Sequence, residues 1–245
     1  MISRRQFVSL AAIAPFAGTV LCKAGVAAEG DHQREDKNMS IQSGQKVLFQ
    51  GDSITDCGRS RENLADLGVG YPFLIEQWLT AAYPDRKIEF VNRGISGNCV
   101  DHLKARWKED CLDLKPDWIS ILIGVNDSAR RTASNDKTTP DTYEQDYRDI
   151  LLQAKKASGA RFILCEPFIL NTNEDVQRYR EEIDMKVEVV HRLAKEFDAA
   201  LIPFDKIFQK VCQYREPAFW AADGVHPSNY GHMLMAQHWI QAVGG

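Results

Sequence analysis

Four short polar segments of this chain hold the side chains whose chemistry is most informative. They are Gly51-Asp52-Ser53, Asn92 to Gly97, Gly124 to Asp127 and Asp223 to Pro227. The first three each follow an apolar run, and the fourth precedes the last helical pattern. Together they offer a serine, an asparagine, a histidine and aspartates, which are the residue types that acyl transfer requires.

The chemistry that these residues could perform is nucleophilic attack by a serine. A serine hydroxyl attacks well only when a base takes its proton, and histidine has the ordinary pKa nearest neutral. We therefore predict Ser53 as the nucleophile and His226 as the base. Asp223 lies three residues before His226 and can fix its tautomer. The backbone amides of Ser53 and Gly94 and the side-chain amide of Asn126 are candidate donors to the oxyanion.

The elements that must position these residues follow from hydrophobic periodicity. The pattern predicts strands at 46–50, 88–92, 118–123, 161–166 and 200–204, and helices at 70–83, 100–111, 142–157, 173–197 and 229–242. Residues 129–140 are predicted to form a polar loop. Alternating strands and helices indicate a parallel sheet with helices on both faces. The carboxyl ends of its strands, where such folds bind ligands, would carry the polar segments.

Other residues admit competing interpretations. Ser96 is a second serine beside glycines, but its surroundings lack the Gly-x-Ser-x-Gly order of a nucleophile elbow. Asp52 and Asp56 could bind a metal, although no histidine motif accompanies them. Arg59, near the nucleophile, and Trp220, before the Asp223 loop, are candidate substrate-binding residues. A solvated charge and a core aromatic residue are the alternative interpretations of these two.

The amino terminus predicts export. Within residues 1–28, the pair Arg4-Arg5 near the start is followed by an acid-free apolar stretch and then by small residues at the end. This pattern is typical of a twin-arginine signal peptide. The stretch is too short and too weakly apolar for a good membrane span. Leu21 before Cys22 argues against a lipid anchor at that cysteine. Residues 29–44 are predicted to be a flexible linker, and residues 45–245 a single domain, exported to the periplasm or secreted.

Charge and cysteine content narrow the range of partners. The formal net charge is −4, and it becomes −7 without the signal, which holds three basic and no acidic residues. This acidity argues against nucleic acid and anionic lipid as partners. No Cys-x-x-Cys motif occurs, so no metal or redox site is predicted from the cysteines. A bridge between Cys57 and Cys99 is left open.

The four segments, in this order, resemble the serine, glycine, asparagine and histidine blocks of the SGNH (GDSL-type) hydrolase superfamily. The runs Gly51 to Arg59, Asn92 to Asn98, Leu103 to Trp107 and Lys115 to Trp118 are most similar to bacterial acetylxylan-esterase-like deacetylases. The resemblance implies a flavodoxin-like three-layer α/β/α sandwich with a central five-stranded parallel sheet. It also implies an enzyme without metal or cofactor that removes acetyl groups from plant polysaccharide or oligosaccharides.

The same resemblance assigns roles to the site residues. It implies a triad of Ser53, His226 and Asp223, and an oxyanion hole formed by Ser53, Gly94 and Asn126. Two alternatives stay open at this stage: a lysophospholipase or thioesterase with the same triad, and a non-catalytic carbohydrate-binding protein. The oligomeric state is open as well, including a homo-oligomer.

Overall fold

A computed structural model describes residues 39–134 and 139–244. The predicted signal peptide, residues 1–28, and the predicted linker up to residue 38 lie outside the described residues. Within the two described ranges, no helix combines the length and the apolar character needed to cross a bilayer.

The structure alternates strands and helices along the chain. The strands are β1 (Lys46–Gly51), β2 (Glu89–Asn92), β3 (Trp118–Leu122), β4 (Arg161–Cys165) and β5 (Ala200–Ile202). The helices are α1 (Ser53–Asp56), α2 (Tyr71–Ala82), α3 (Val100–Ala105), α4 (Trp107–Asp110), α5 (Val125–Ser134), α6 (Pro140–Ser158), α7 (Glu174–Gln177), α8 (Arg180–Glu196), α9 (Phe204–Val211), α10 (Pro217–Trp220) and α11 (Asn229–Ala242), with a 3₁₀ turn at Leu112–Leu114.

The strands form one parallel five-stranded sheet, in the order β2-β1-β3-β4-β5. Leu48 of β1 is in register with Val91 of β2 on one side and with Ile119 of β3 on the other. Parallel pairing brings the carboxyl ends of all strands to one edge. The loops after β1, β2 and β3 therefore share the edge that the sequence predicted for the chemistry.

Helices cover both faces of this sheet, because successive strand residues point to opposite sides. Val47 and Phe49 belong to one buried cluster, with side chains of α2, α9 and α11. Leu48 belongs to the other, with side chains of α3, α4, α6 and α8. The three-layer α/β/α sandwich expected from the sequence is thus confirmed.

The polar segment 129–140 was predicted as a loop. The structure corrects this prediction for residues 129–134, which belong to α5, while residues 135–138 lie outside the described residues. Two hydroxyl groups of α5 donate to backbone carbonyls one turn earlier. Ser128 Oγ donates to the Gly124 carbonyl at 2.9 Å, and Thr132 Oγ1 donates to the Ser128 carbonyl at 3.0 Å. Because such a helix has few apolar residues, hydrophobic periodicity does not detect it.

Two predicted helices are divided in the structure, and the last predicted strand is shorter than expected; most other bounds shift by one or two residues. The helix predicted at 100–111 divides into α3, α4 and the 3₁₀ turn, and the helix predicted at 173–197 divides into α7 and α8. The last strand ends at Ile202, because Pro203 has no N–H to donate to a ladder. Phe204 then starts α9, which packs Phe204 and Phe208 into the core at helical spacing.

The start of the domain also requires a correction. Residues 39–44 were assigned to a linker, yet Met39 is 5% exposed and Ile41 fully buried. Ser40 N–H donates to the Val243 carbonyl at 2.8 Å, and Arg86 Nη1 donates to the Ile41 carbonyl at 2.8 Å. Two isolated apolar residues in a polar stretch produce no periodic signal, so the sequence placed the boundary too late.

Candidate active site

The nucleophile turn joins β1 to α1 at the carboxyl edge of the sheet. Asp52 is buried and caps α1, its Oδ1 accepting a hydrogen bond from Ile54 N–H at 3.0 Å. Ser53 is the first residue of the helix, so its backbone N–H lies among the helix amides that lack an intrahelical acceptor. The turn therefore places at the same point the Ser53 hydroxyl and an amide that has no partner among the residues the structure describes.

The side chains of Ser53, His226 and Asp223 form a continuous hydrogen-bonded chain. Ser53 Oγ lies 2.8 Å from His226 Nε2, and His226 Nδ1 lies 2.6 Å from Asp223 Oδ2. The other carboxylate oxygen of Asp223 accepts hydrogen bonds from Val225 N–H at 2.9 Å and His226 N–H at 2.8 Å. With Nδ1 donating to the carboxylate, Nε2 is free to accept the serine proton.

The hydrogen bonds that Asp223 accepts keep its carboxylate ionised. Partial burial raises the pKa of Asp223, but the hydrogen bonds from the His226 side chain and from two backbone amides outweigh it, so the net pKa lies below its usual value. The pKa values of two other carboxyl groups, on Asp52 and Asp127, shift in the opposite direction. Burial raises the pKa of Asp52 to about 7 and that of Asp127 to about 6. Negative charge is therefore concentrated on Asp223, where it can stabilise an imidazolium.

Gly94 does not offer its amide to a substrate, contrary to the sequence prediction. Its N–H donates to Asn92 Oδ1 at 2.8 Å, inside the loop that follows β2. Gly94 is buried against α1, and a Cβ there would lie 2.5 Å from the Asp56 backbone nitrogen. The glycine is needed because the two segments approach closely, and its N–H is already used.

Gly97, three residues later in the same loop, has the properties that Gly94 lacks. It is exposed, its φ is +81°, and its N–H has no hydrogen-bond partner among the described residues. The neighbouring Asn98 carbonyl accepts a hydrogen bond from Asn126 Nδ2 at 3.0 Å. This bond brings the loop against Asn126 and leaves the second Nδ2 hydrogen for another acceptor. The donor set that fits an oxyanion is Ser53 N–H, Gly97 N–H and Asn126 Nδ2.

Arg59 is turned into the protein instead of toward a ligand. It is 8% exposed, and its Nη2 donates to the Gly94 carbonyl at 3.0 Å. Its Nε lies 3.9 Å from Asp56 Oδ1. The side chain thus supports the loop after β2, which corrects its assignment to substrate binding.

Trp220 is half-buried in α10 and packs against the core, edge-on to Phe219 at 5.0 Å. Phe219 in turn stacks on Tyr230 at 4.7 Å, and Tyr230 is 62% exposed. The aromatic surface that solvent reaches beside the Asp223 loop is therefore supplied mainly by Tyr230, which the sequence prediction did not include. A role for Trp220 in substrate binding stays a prediction.

The structure also bears on the other interpretations of the sequence: a second nucleophile, a disulfide bridge and a metal site. Ser96 donates to Asp56 Oδ2 from both its N–H and its hydroxyl, at 2.9 and 2.8 Å. Cys57 and Cys99 are free thiols. Among the described residues, one group of potential metal ligands converges, formed by Cys99, Asp101 and His102. His102 Nδ1 there accepts a hydrogen bond from Cys99 N–H at 3.0 Å, so this group caps the start of α3.

The chain is similar to known proteins over most of its length. The model of the GDSL-like Lipase/Acylhydrolase family matches residues 49–234. The acetylxylan esterase of Geobacillus stearothermophilus is 40% identical over 214 residues, covering 84% of this chain and 97% of that protein. Its crystal structure matches with a TM-score of 0.78, at 40% identity and the same coverage. Thioesterase 1/protease 1/lysophospholipase L1 of Escherichia coli is 27% identical over 191 residues, covering 78% of this chain and 79% of that protein.

Solved variants of the Geobacillus esterase concern the same three residue types. Three are described as catalytic mutants, at a serine, an aspartate and a histidine. In that protein the aspartate and the histidine lie three residues apart, which is the spacing of Asp223 and His226 here.

Proposed function

The chain belongs to the GDSL-like lipase/acylhydrolase family, and from this we propose that it is a serine esterase that removes acetyl groups from xylan or its oligosaccharides. The observation that carries the proposal is the unbroken hydrogen-bonded chain from Ser53 Oγ through His226 to Asp223. The similarity to an acetylxylan esterase over most of both chains supports the acyl group and the sugar.

In the proposed reaction, Ser53 Oγ attacks the acetyl carbonyl while His226 Nε2 takes its proton. The oxyanion of the tetrahedral intermediate accepts hydrogen bonds from Ser53 N–H, Gly97 N–H and Asn126 Nδ2. His226 then donates the proton to the leaving sugar oxygen, and an acetyl-enzyme forms. A water molecule, deprotonated by His226, attacks this ester, and acetate leaves as Ser53 recovers its proton.

The test is a panel of p-nitrophenyl esters from acetate to palmitate, with acetylated xylo-oligosaccharide alongside. We expect activity to be confined to the shortest acyl chains and the sugar acetate. Ser53→Ala should remove it, whereas Ser158→Ala should retain it, because Ser158 lies at the end of α6 and its hydroxyl bonds the Pro116 carbonyl. Full activity of Ser53→Ala would contradict the proposal.

A second candidate is a thioesterase or lysophospholipase, favoured by the similarity to the Escherichia coli enzyme of that name. It would use the same triad on a longer acyl group. A preference for palmitate over acetate in the same panel would select this alternative.

We also propose that the protein is exported from the cytoplasm. The Arg4-Arg5 pair and the acid-free apolar stretch up to residue 28 support a twin-arginine signal, which would bring the enzyme to polysaccharide outside the cytoplasm. Replacement of Arg4 and Arg5 by lysine should retain the protein in the cytoplasmic fraction. Unchanged export of that variant would argue for an ordinary secretory signal.

A further inference from the structure

His232, on the final helix, is a buried histidine whose two ring nitrogens contact different elements. It is 4% exposed. Its Nδ1 accepts a hydrogen bond from Tyr71 N–H at 3.2 Å, so the ring hydrogen is on Nε2. Nε2 lies 3.3 Å from the Sγ of Cys57. The contacts define one tautomer, in which His232 accepts from α2 and donates to the end of α1.

Both contacts lead to the nucleophile. Cys57 terminates α1, and its N–H donates to the Ser53 carbonyl at 3.0 Å. Tyr71 begins α2, and its hydroxyl lies 3.0 Å from the Thr55 Oγ1 in the middle of α1. His232 therefore holds the short helix that presents Ser53, directly through Cys57 and indirectly through Tyr71.

His232 is also connected to the loop that carries the proposed base, His226. His232 lies on α11, which starts three residues after His226, and His232 N–H donates to the Ser228 carbonyl at 2.8 Å. The helix that follows the catalytic loop is thus fastened to the helix that follows the nucleophile turn. A helix as short as α1 gains little stability of its own, so tertiary contacts must hold it.

The surroundings fit the imidazole closely. The ring stacks on Tyr71, with an angle of 12° between the planes. A Cβ at Gly70 would lie 2.7 Å from the Cβ of Cys57 and 3.1 Å from the Cε1 of His232. The absence of a side chain at Gly70 is what allows Cys57 and His232 to meet.

We propose that His232 is a positioning residue that keeps Ser53 Oγ and His226 Nε2 within hydrogen-bond distance by fastening α1 to α11. This inference rests on the proposed esterase function. Burial lowers the pKa of His232 to about 4, so the ring stays neutral and keeps its tautomer where the enzyme is expected to work. Misplacement of a catalytic group by about 1 Å can cost a factor of about 10² in rate.

The test compares three variants on p-nitrophenyl acetate. His232→Leu retains bulk but loses both hydrogen bonds, and we expect kcat to fall about 10- to 100-fold with KM nearly unchanged. His232→Gln can accept from Tyr71 N–H and donate to Cys57, and it should recover most of kcat. His238→Leu is the matched control: the same change on the same helix, at a half-buried histidine whose ring forms no hydrogen bond with α1 among the described residues, and it should leave kcat unchanged.

A second readout separates failure of this inference from failure of the proposed function. Labelling of Ser53 by an organophosphate reports on the Ser53–His226 geometry without an ester substrate, and it should be slowed in His232→Leu as strongly as kcat. If the parent protein hydrolyses no ester in the panel, the labelling comparison still stands. Equal labelling rates in the parent and His232→Leu, or a kcat loss that the Gln variant shares fully, would overturn the proposal.

Discussion

The two glycines of the loop after β2 illustrate how single residues divide structural and chemical roles. Gly94 lies against α1 with its N–H bonded to Asn92, whereas Gly97 is exposed with a positive φ and an N–H without a partner among the described residues. One glycine lets the loop approach the nucleophile helix. The other is positioned to donate to the substrate.

This division predicts different consequences of the same substitution. Gly94→Ala should lower the free energy of unfolding strongly, because its Cβ would lie 2.5 Å from the Asp56 backbone nitrogen. Gly97→Ala should cost only about 1–2 kcal/mol, the strain of a side chain at positive φ, but should lower kcat by displacing the donor. Urea unfolding and acetate-ester kinetics of both variants check this. A larger stability loss for Gly97→Ala would contradict it.

Asp52 makes stability depend on pH. Burial, with a further contribution from Asp127, raises its pKa from 3.8 to about 7, despite opposing hydrogen bonds. The folded state therefore binds the Asp52 proton more tightly than the unfolded chain does. Stability from this group is fully present below about pH 4 and is lost as the pH rises through about 7.

Asp52→Asn should remove this dependence while keeping an oxygen to accept from Ile54 N–H. We expect the variant to gain melting temperature over the parent at pH 8 and to gain less at pH 5. Thermal unfolding at both values measures the difference, and the exposed Asp85→Asn serves as the control. An equal difference at both pH values would show that Asp52 does not carry the effect.

The sequence located the residues of the hydrogen-bonded chain because each is the reactive side chain of its segment, and spacing alone relates Asp223 to His226. It chose the wrong glycine because two glycines share one loop. Whether Gly94 or Gly97 has its N–H already hydrogen-bonded depends on the direction of the Asn92 side chain, which only the tertiary structure determines. Arg59 was misassigned for the same reason, since sequence does not tell whether a guanidinium beside the nucleophile turns outward or supports the loop.

At the scale of elements, the strands were predictable because the three central ones, β1, β3 and β4, are mainly apolar and buried on both faces. Among the described residues, the helices without a predicted counterpart are α1, α5, α9 and α10. Hydrophobic periodicity does not detect α5, which has few apolar residues, or α9, which is short and follows a proline directly. α9 nevertheless contributes to the core: Phe208 is fully buried and lies 4.4 Å from the ring of Phe168.

The contribution of α9 can be measured with a matched pair of aromatic substitutions. Phe208→Ala should lower the free energy of unfolding by about 3–5 kcal/mol, since it leaves a cavity in the core. Tyr214→Ala, just beyond the helix and 77% exposed, should change it by about 0.5 kcal/mol or less. Urea denaturation of both variants is the measurement. Similar losses would mean that α9 does not anchor this face of the sheet.

At the scale of the whole molecule, the sandwich could be derived from alternating elements, but its amino-terminal boundary could not. Periodicity needs several residues to produce a signal, and Met39 and Ile41 enter the core as isolated positions ahead of β1. The backbone here is also hydrogen-bonded at two distant places: Ser40 N–H donates to the Val243 carbonyl, and the Ile41 carbonyl accepts from the Arg86 guanidinium. The first residues of the domain thus join its start to its carboxyl-terminal end.

Truncation should reveal this connection. A chain that begins at residue 37 retains these contacts, whereas a chain that begins at residue 45 loses the burial of Met39 and Ile41 and both hydrogen bonds. Full burial of each side chain contributes about 1.5–3 kcal/mol, so we expect the shorter chain to melt clearly lower. Acetate-ester activity per folded molecule should change little, because residues 39–44 form no hydrogen bond with Ser53 or His226. Equal melting temperatures would mean that residues 39–44 act only as the linker that the sequence suggested.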